Sequence, residues 1–248
     1  MKTTRNSLVF AVATLLCMPT TSVNADFVRL DIGISHWAPI LSGNFNSGND
    51  ASIQTKSDLG INDPSQTSLV FILEHPIPVL PNVKYQTIDL ATSGNKTLTK
   101  SQTFNGNTYN ASSNVSSTFD LSHDNIVLYY EVLDNWVNLD LGVDLKRFDG
   151  QVGINGDNIV VDETVPSLYI SAKFDLPFTG FYAGANLMQL SSGDNSANDS
   201  TFLVGYESNT GLGIEGGVKA FSLDLNNAGN IDTNVEYNGL YLNGFFYF

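Results

Sequence analysis

The sequence predicts an all-β fold, a transmembrane antiparallel up-and-down β-barrel of about ten strands with short turns at one end and longer loops at the other. Three observations predict this fold. Most of the chain after residue 25 alternates between apolar and polar residues, which is the pattern of strands with two unlike faces. Short and long connections between these segments alternate. The last segment is aromatic and ends at Phe248, as expected of a strand that closes a barrel against the first one.

Period-two segments account for the predicted strands. In the first, apolar residues at 28, 30, 32 and 34 alternate with Arg29, Asp31, Gly33 and Ser35. The other segments are 68–74, 83–91, 118–132, 137–149, 160–175, 181–189, 201–207, 212–225 and 235–248. The faces of the third and ninth segments are left open. In the ninth, the apolar residues change sides, which we interpret as a β-bulge near Ala220. Eight strands remain an alternative if 83–132 is mostly an excursion, and twelve if the first loop holds a hairpin.

The connections separate into two alternating classes. Short ones rich in Pro, Gly, Asn and Asp lie at 75–82, 133–136, 176–180 and 208–211. Longer polar ones lie at 39–66, 92–117, 150–159, 190–200 and 226–234. Outer-membrane barrels have this arrangement, with short periplasmic turns and long external loops. The alternative, a secreted soluble β-sandwich that binds a ligand, normally mixes its connection lengths.

The N-terminus has the pattern of a secretory signal peptide over 1–25, with Lys2 and Arg5 before an apolar run and Ala25 at a small-residue cleavage site. The barrel domain is then predicted over 26–248. Cleavage removes Cys17, so neither disulfides nor a cysteine metal site is expected. The net charge of −14 becomes −16, because 9 of 11 basic residues remain against 25 acidic ones. Such a charge argues against a nucleic-acid partner, and no cofactor or metal is predicted.

Charged residues on the polar face of the strands are predicted to point into the lumen if the apolar face contacts lipid. The predicted lumen-lining residues are Arg29, Asp31, Glu74, Lys84, Glu131, Asn138, Asp140, Asp144, Lys146, Lys173, Glu215 and Lys219. They predict either a plug of paired side chains or a narrow, charge-lined conduit. Side chains fill the interior of a barrel of about eight strands, whereas 16 to 18 strands leave an aqueous channel, and ten strands lie near the closed limit. At the short-turn end, a girdle of interfacial aromatic residues is predicted from Trp136, Phe178, Phe181 and Phe248.

Five segments carry a family resemblance. They are "LEHPIPVLPN" (73–82), "YYEVLDNWVNLDLG" (129–142), "FDLPFTG" (174–180), "VGYES" (204–208) and the terminal "YLNGFFYF". The chain resembles a family of small, largely uncharacterised outer-membrane β-barrel proteins of Gram-negative bacteria. The resemblance covers the mature chain and implies a fold and a location in the cell outer membrane. It brings no activity and no catalytic residues.

The function predicted from these observations is that of an integral outer-membrane protein, either structural and surface-interacting or a narrow pore for small polar solutes. Its expected partners are membrane lipid, lipopolysaccharide and the barrel-assembly machinery, which would read the C-terminal strand ending at Phe248; a monomer is expected. We predict no enzyme, because the sequence has no G-x-S-x-G, H-E-x-x-H or P-loop motif. The hydrolase alternative rests on His36 near a loop aspartate such as Asp50, Asp58 or Asp63.

Overall fold

The computed structural model describes residues 28–192, 195–228 and 231–248, so the predicted signal peptide lies outside the described residues. These residues form seventeen β-strands in three sheets. The strands are β1 (Arg29–Ser47), β2 (Ile53–Gln54), β3 (Gln66–Glu74), β4 (Asn82–Ile88), β5 (Thr92–Thr97), β6 (Gln102–Phe104), β7 (Asn107–Tyr109), β8 (Asn114–Asp120), β9 (His123–Leu133), β10 (Val137–Phe148), β11 (Gly150–Ile154), β12 (Asp157–Val161), β13 (Thr164–Asp175), β14 (Phe181–Ser192), β15 (Asn195–Glu207), β16 (Leu212–Ala228) and β17 (Ile231–Tyr247).

Ten of these strands form a closed antiparallel barrel in the order β1, β3, β4, β9, β10, β13, β14, β15, β16, β17. The last strand closes on the first over its whole length, from Asp31 opposite Tyr247 to Ser47 opposite Ile231. The predicted fold class and the number of strands are therefore confirmed. Because closure leaves neither strand with an unpaired edge, the barrel needs no partner chain to satisfy its backbone.

The short connections lie together at one end of the barrel, the short-turn end, as the sequence predicts. At the opposite, long-loop end, two predictions are wrong. The described residues of the segments 190–200 and 226–234 belong to strands rather than loops, because β14 pairs with β15 as far as Ser192 and Asn195, and β16 with β17 as far as Ala228 and Ile231. Their polar composition suggested loops, but the strands extend well past the lipid-sized apolar face, where outward polar residues are at no disadvantage.

The other long connections fold into a cap over the long-loop end. The cap consists of β2, a four-stranded sheet in the order β12, β11, β8, β5, and the small hairpin β6–β7. Two predicted strands divide here, since 118–132 contributes to β8 and β9, and 160–175 to β12 and β13. The cap encloses a cluster of buried side chains that includes Phe45, Phe104, Phe119, Phe148 and Tyr237. The longest loops thus have a hydrophobic core of their own.

The wall of the barrel reverses its polarity along β16. Near the short-turn end, Ile214 and Val218 point outward with about half of their surface exposed (54% and 52%), whereas Phe221 and Leu223 further along point inward and are 1% exposed. The pairing of β16 with β17 runs without interruption from Leu212 to Leu225, and its only irregularity lies between Leu225 and Ala228. The predicted bulge near Ala220 is therefore wrong. The apolar residues change face because the interior changes from polar to apolar.

No helix among the described residues is long and apolar enough to cross a membrane.

Candidate functional site

A cavity of about 430 Å³, the chamber, occupies the barrel interior at the short-turn end. All ten strands of the barrel contribute residues to its wall. Asp134 and Asn135 of the turn between β9 and β10 lie at its mouth. The alternation of the strands explains its polar lining, because each inward position is one residue away from an outward apolar one.

The structure places the twelve predicted lumen-lining residues at two depths. Nine of them line the chamber: Arg29, Asp31, Glu74, Lys84, Glu131, Asn138, Asp140, Lys173 and Glu215. Lys219 borders a smaller space of about 20 Å³ next to it. Asp144 and Lys146 lie deeper, with side chains that are 0% and 1% exposed.

Four further acidic residues of the interior were not predicted. Asp134, Asp175 and Glu207 line the chamber near its mouth, and Asp199 lies deep inside with a side chain that is 4% exposed. Asp175 has the same parity as Lys173 on one strand, so alternation was the signal that would have found it. Asp199 was missed because its segment was interpreted as an external loop.

Ion pairs surround the mouth of the chamber. The Arg29 guanidinium donates two hydrogen bonds to Asp31, at 2.8 and 3.0 Å, and lies 3.6 Å from Glu207. Lys173 Nζ is 3.5 Å from both Asp175 and Glu207. These basic groups are therefore already engaged by carboxylates of the chain itself.

Deeper carboxylates of the chamber have no basic partner. Glu131 and Asp140 are direct cross-strand neighbours on β9 and β10. Glu215 on β16 accepts hydrogen bonds from the Tyr182 hydroxyl at 2.8 Å and from Asn243 Nδ2 at 2.9 Å. Among the described residues, no Lys or Arg nitrogen lies within 4.0 Å of these three carboxylates. The chamber wall therefore carries negative charge that no basic side chain compensates. The pair Glu131 and Asp140 is also unfavourable in itself, because like charges directly opposite each other destabilise a sheet.

A buried charge layer, formed by Asp144, Lys146, Asp199 and Lys219, separates the chamber from the cap. Lys219 Nζ donates to both oxygens of Asp199 at 2.7 and 2.8 Å. Lys146 Nζ lies 3.7 Å from Asp144 and 3.9 Å from Asp199. Both lysines are buried, so this mutual pairing offsets a desolvation penalty of several kcal/mol per ion.

The charge layer also contacts neutral groups. Lys146 Nζ donates to Asn125 Oδ1 at 2.6 Å and lies 3.3 Å from His123 Nε2. His123 Nδ1 is 2.8 Å from the Leu121 carbonyl oxygen, which assigns the ring proton to Nδ1 and leaves Nε2 as an acceptor for Lys146. Above the layer, Phe221 and Trp37 of the cap cluster place their rings 5.4 Å from Lys146 and Lys219 respectively. The interior is thus occupied from the layer up to the cap.

The four predicted interfacial aromatic residues lie on the outer surface at the short-turn end. Trp136, Phe181 and Phe248 are 59%, 57% and 68% exposed, and Phe178 is completely exposed. Phe178 has a φ angle of 68°, an uncommon conformation for a bulky residue. The neighbouring turn adds Ile77, Val79 and Leu80, which are also exposed.

His36 lies on the outer face of β1, where its Nδ1 is 3.5 Å from the Thr67 hydroxyl. The three loop aspartates considered for it contact other groups: Asp50 accepts from Ser47, Asp58 pairs with Lys100, and Asp63 pairs with Lys56. Thus the structure does not bring together the groups of the hydrolase alternative. Within residues 28–192, 195–228 and 231–248, no cluster of three or more His, Cys, Asp or Glu residues is close enough to hold a metal ion.

Comparisons with known proteins give structural similarity only. No protein-family profile and no curated protein sequence matches the chain. Among solved structures, a Pseudomonas aeruginosa FadL homologue is 8% identical with a TM-score of 0.38, covering 89% of this chain and 90% of its own. OmpTΔL8, a loop L8 deletion mutant of the Vibrio cholerae outer membrane protein OmpT, is 9% identical with a TM-score of 0.24, covering 87% and 99%. At these values, the assignment of the fold rests on the strand pairing of the chain itself.

Proposed function

We propose that this chain is an integral outer-membrane protein whose barrel is closed at the long-loop end, so that its role is structural or surface-interacting rather than that of an open pore. The reversal of wall polarity carries the proposal. Outward residues are apolar near the short-turn end, whereas inward residues are apolar beneath the cap. An outward apolar surface suits a wall surrounded by lipid, whereas an inward apolar core suits a part of the molecule surrounded by water.

The height of the outward apolar surface supports a membrane location. On β1 it extends from Leu30, 37% exposed, to Ile40, 61% exposed, and is interrupted by the outward His36. Ten residue steps of about 3.3 Å, tilted by about 40° to the barrel axis, give a height of roughly 25 Å. That height matches the apolar band of about 25 Å on known outer-membrane barrels. A water-soluble barrel would expose this surface at a large cost in free energy.

The closed interior favours a structural role over a conduit. A solute entering the chamber meets the charge layer and then the cap cluster, whose side chains are nearly all less than 5% exposed. Conduction would require both to rearrange, and dry, closely packed interiors resist such changes. The cap is the part of the molecule available to external partners.

The proposed partners follow from the same arrangement. The apolar band would contact membrane lipid, and the acidic cap would lie beside anionic lipopolysaccharide, with divalent cations shared between them. The assembly machinery would read β17 and the terminal Phe248. Because each of the ten barrel strands pairs with a neighbour on both sides, we propose a monomer.

Planar-bilayer recording tests the closed barrel. The refolded chain is expected to insert without steady openings, and Lys146→Glu is expected to lower its thermal stability without creating a conductance. Steady openings whose ion selectivity changes sign in Lys146→Glu would instead establish a charge-lined conduit. Exchange of the exposed Lys100→Glu, which reverses a charge and breaks only the pair with Asp58 at the long-loop end, serves as the control outside the interior.

A further inference from the structure

The geometry points to the chamber as a binding site for a short, linear organic cation with an ammonium group at each end, a diamine or polyamine held between acidic groups on opposite walls. This inference concerns the short-turn end of the barrel and does not depend on the role of the cap. Because the charge layer and the cap close the interior above it, the chamber is a blind site suited to binding rather than transit.

The charge of the chamber is unbalanced. Three basic residues face eight acidic ones: Asp31, Glu74, Glu131, Asp134, Asp140, Asp175, Glu207 and Glu215. Two of the bases, Arg29 and Lys173, are engaged by acids at the mouth. The third, Lys84, has its Nζ 5.8 Å from the centre of the Tyr169 ring. The surplus is therefore negative. Of the carboxylates that have no Lys or Arg nitrogen of the described residues within 4.0 Å, Asp134 lies at the mouth, and Glu131, Asp140 and Glu215 lie further along the walls.

The surplus forms two poles on opposite walls. One pole is the pair Glu131 and Asp140 on β9 and β10, and the other is Glu215 on β16. In the closed ring of ten strands, β10 and β16 are separated by three strands on one side and by five on the other. A single small ion at one pole leaves the other unneutralised. An extended molecule with an ammonium group at each end matches both.

An independent observation at the second pole points to a donor from outside the chain. Asn243 lines the chamber, is 6% exposed, and its Oδ1 has no hydrogen-bond partner. The amide orientation is set by the bond from Nδ2 to Glu215. Oδ1 then lies beside Gly33, which lines the same chamber and has no side chain to cover the oxygen. Buried carbonyl oxygens normally have a donor, and an ammonium bound to Glu215 supplies one.

Two basic side chains of the chamber, Arg29 and Lys173, already lie over aromatic rings. The Arg29 guanidinium lies 4.4 Å from the centre of the Tyr247 ring, and Lys173 Nζ lies 4.8 Å from that of Tyr182. Tyr182 also donates its hydroxyl proton to Glu215. A ring face next to a carboxylate is a favourable environment for an alkylammonium group. The volume of about 430 Å³ falls within the range of about 300 to 1,000 Å³ for small-molecule sites.

Isothermal titration calorimetry of the chain refolded in detergent micelles tests this site with spermidine as the probe. We expect saturable one-site binding, with n-butylamine, which has a single ammonium, at least about tenfold weaker. Asp140→Asn and Glu215→Gln should each weaken spermidine binding by roughly tenfold or more, the effect of losing one charge-assisted hydrogen bond. Glu163→Gln, which removes an exposed carboxylate at the long-loop end, should leave the affinity unchanged.

Several results would overturn the proposal. One is the absence of saturable heat with the unmodified chain. Another is equal binding of spermidine and n-butylamine, which means that the additional ammonium groups contribute nothing. A third is a loss in Glu163→Gln as large as in Asp140→Asn, which means that the probe senses only net charge. Heat-modifiable gel mobility shows which variants are folded. If Glu215→Gln does not fold, Asp140→Asn decides, and unchanged affinity in that folded variant contradicts the site.

Discussion

The pair Lys219 and Asp199 is a buried ion pair inside the barrel that is expected to contribute to the free energy of unfolding. Its side chains are 5% and 4% exposed, and they make two hydrogen bonds shorter than 3 Å. Alternation of the 212–225 segment led to the prediction of Lys219 inside the lumen. Its partner was not predictable, because a segment rich in Ser, Asn and Asp has the composition of a loop, and only the pairing of β15 with β16 turns Asp199 inward.

Removal of one member of this pair should destabilise the protein strongly. Lys219→Met leaves Asp199 buried with only Lys146 nearby, and the expected loss is about 3–5 kcal/mol in the free energy of unfolding, measured by urea titration in liposomes. The double variant Lys219→Met with Asp199→Leu should lose less. Lys56→Met breaks the exposed pair with Asp63, whose side chains are 42% and 43% exposed, and should cost less than about 1 kcal/mol. Equal losses in Lys219→Met and Lys56→Met would contradict the account.

The contact of the Asp157 carboxyl with two asparagine amides in the cap is expected to depend on pH. Amide groups of Asn107 and Asn105 donate to its two oxygens at 2.8 and 2.7 Å, and these bonds hold the pKa of the carboxyl below its usual value of 3.8. A lowered pKa means that the contact stabilises the fold above the usual pKa and is lost as pH falls through the lowered one. The side-chain amide resonances of Asn105 and Asn107 should therefore shift below about pH 4. Those of Asn62, which donates to the Ser93 backbone, should not.

At the scale of the strands, the sequence was sufficient to predict a strand's position where one face is apolar and the other polar along its whole length. It was insufficient where the character of the two faces changes along the strand. The alternation in β1, β10 and β17 predicts their positions. The strands of the hairpins β14–β15 and β16–β17 were predicted, but their extensions toward the long-loop end were missed because they lie beyond the lipid-sized band, where the outward face is polar. A pattern search that assumes one environment along a strand interprets such a reversal as a bulge or a loop.

The packing of β9 against β10 depends on Gly142. A side-chain carbon at this position would overlap the carbonyl oxygen of Leu128 on the neighbouring strand. Gly142→Ala is therefore expected to disrupt the pairing and to lower the temperature at which the folded band disappears in heat-modifiability gels. Gly244→Ala is the matched control, since nothing lies within 4 Å of the added carbon. Equal behaviour of the two variants would mean that the strands are not as close at Gly142 as described.

For the whole molecule, ten strands form a barrel with a blind acidic chamber below and a folded cap above. The closed barrel was predictable because alternation and connection lengths are local properties of the sequence. The cap was not, since its core joins residues far apart in the chain, such as Phe45, Phe119 and Phe221. A hydrophobic cluster assembled from several polar-looking loops has no periodic signal.

The central claim is that the outer wall changes from apolar to polar, as on β17, where Leu240 and Leu242 face outward near the short-turn end and Asn234 and Glu236 face outward beside the cap. A nitroxide scan of these outward positions tests the claim most directly. Spin labels at 240 and 242, on the apolar side, should be more accessible to oxygen than to a water-soluble nickel chelate when the protein is in bilayers. Labels at 234 and 236, beside the cap, should show the opposite preference. A single preference along all four positions would contradict the account, because the wall would then lie in one environment throughout.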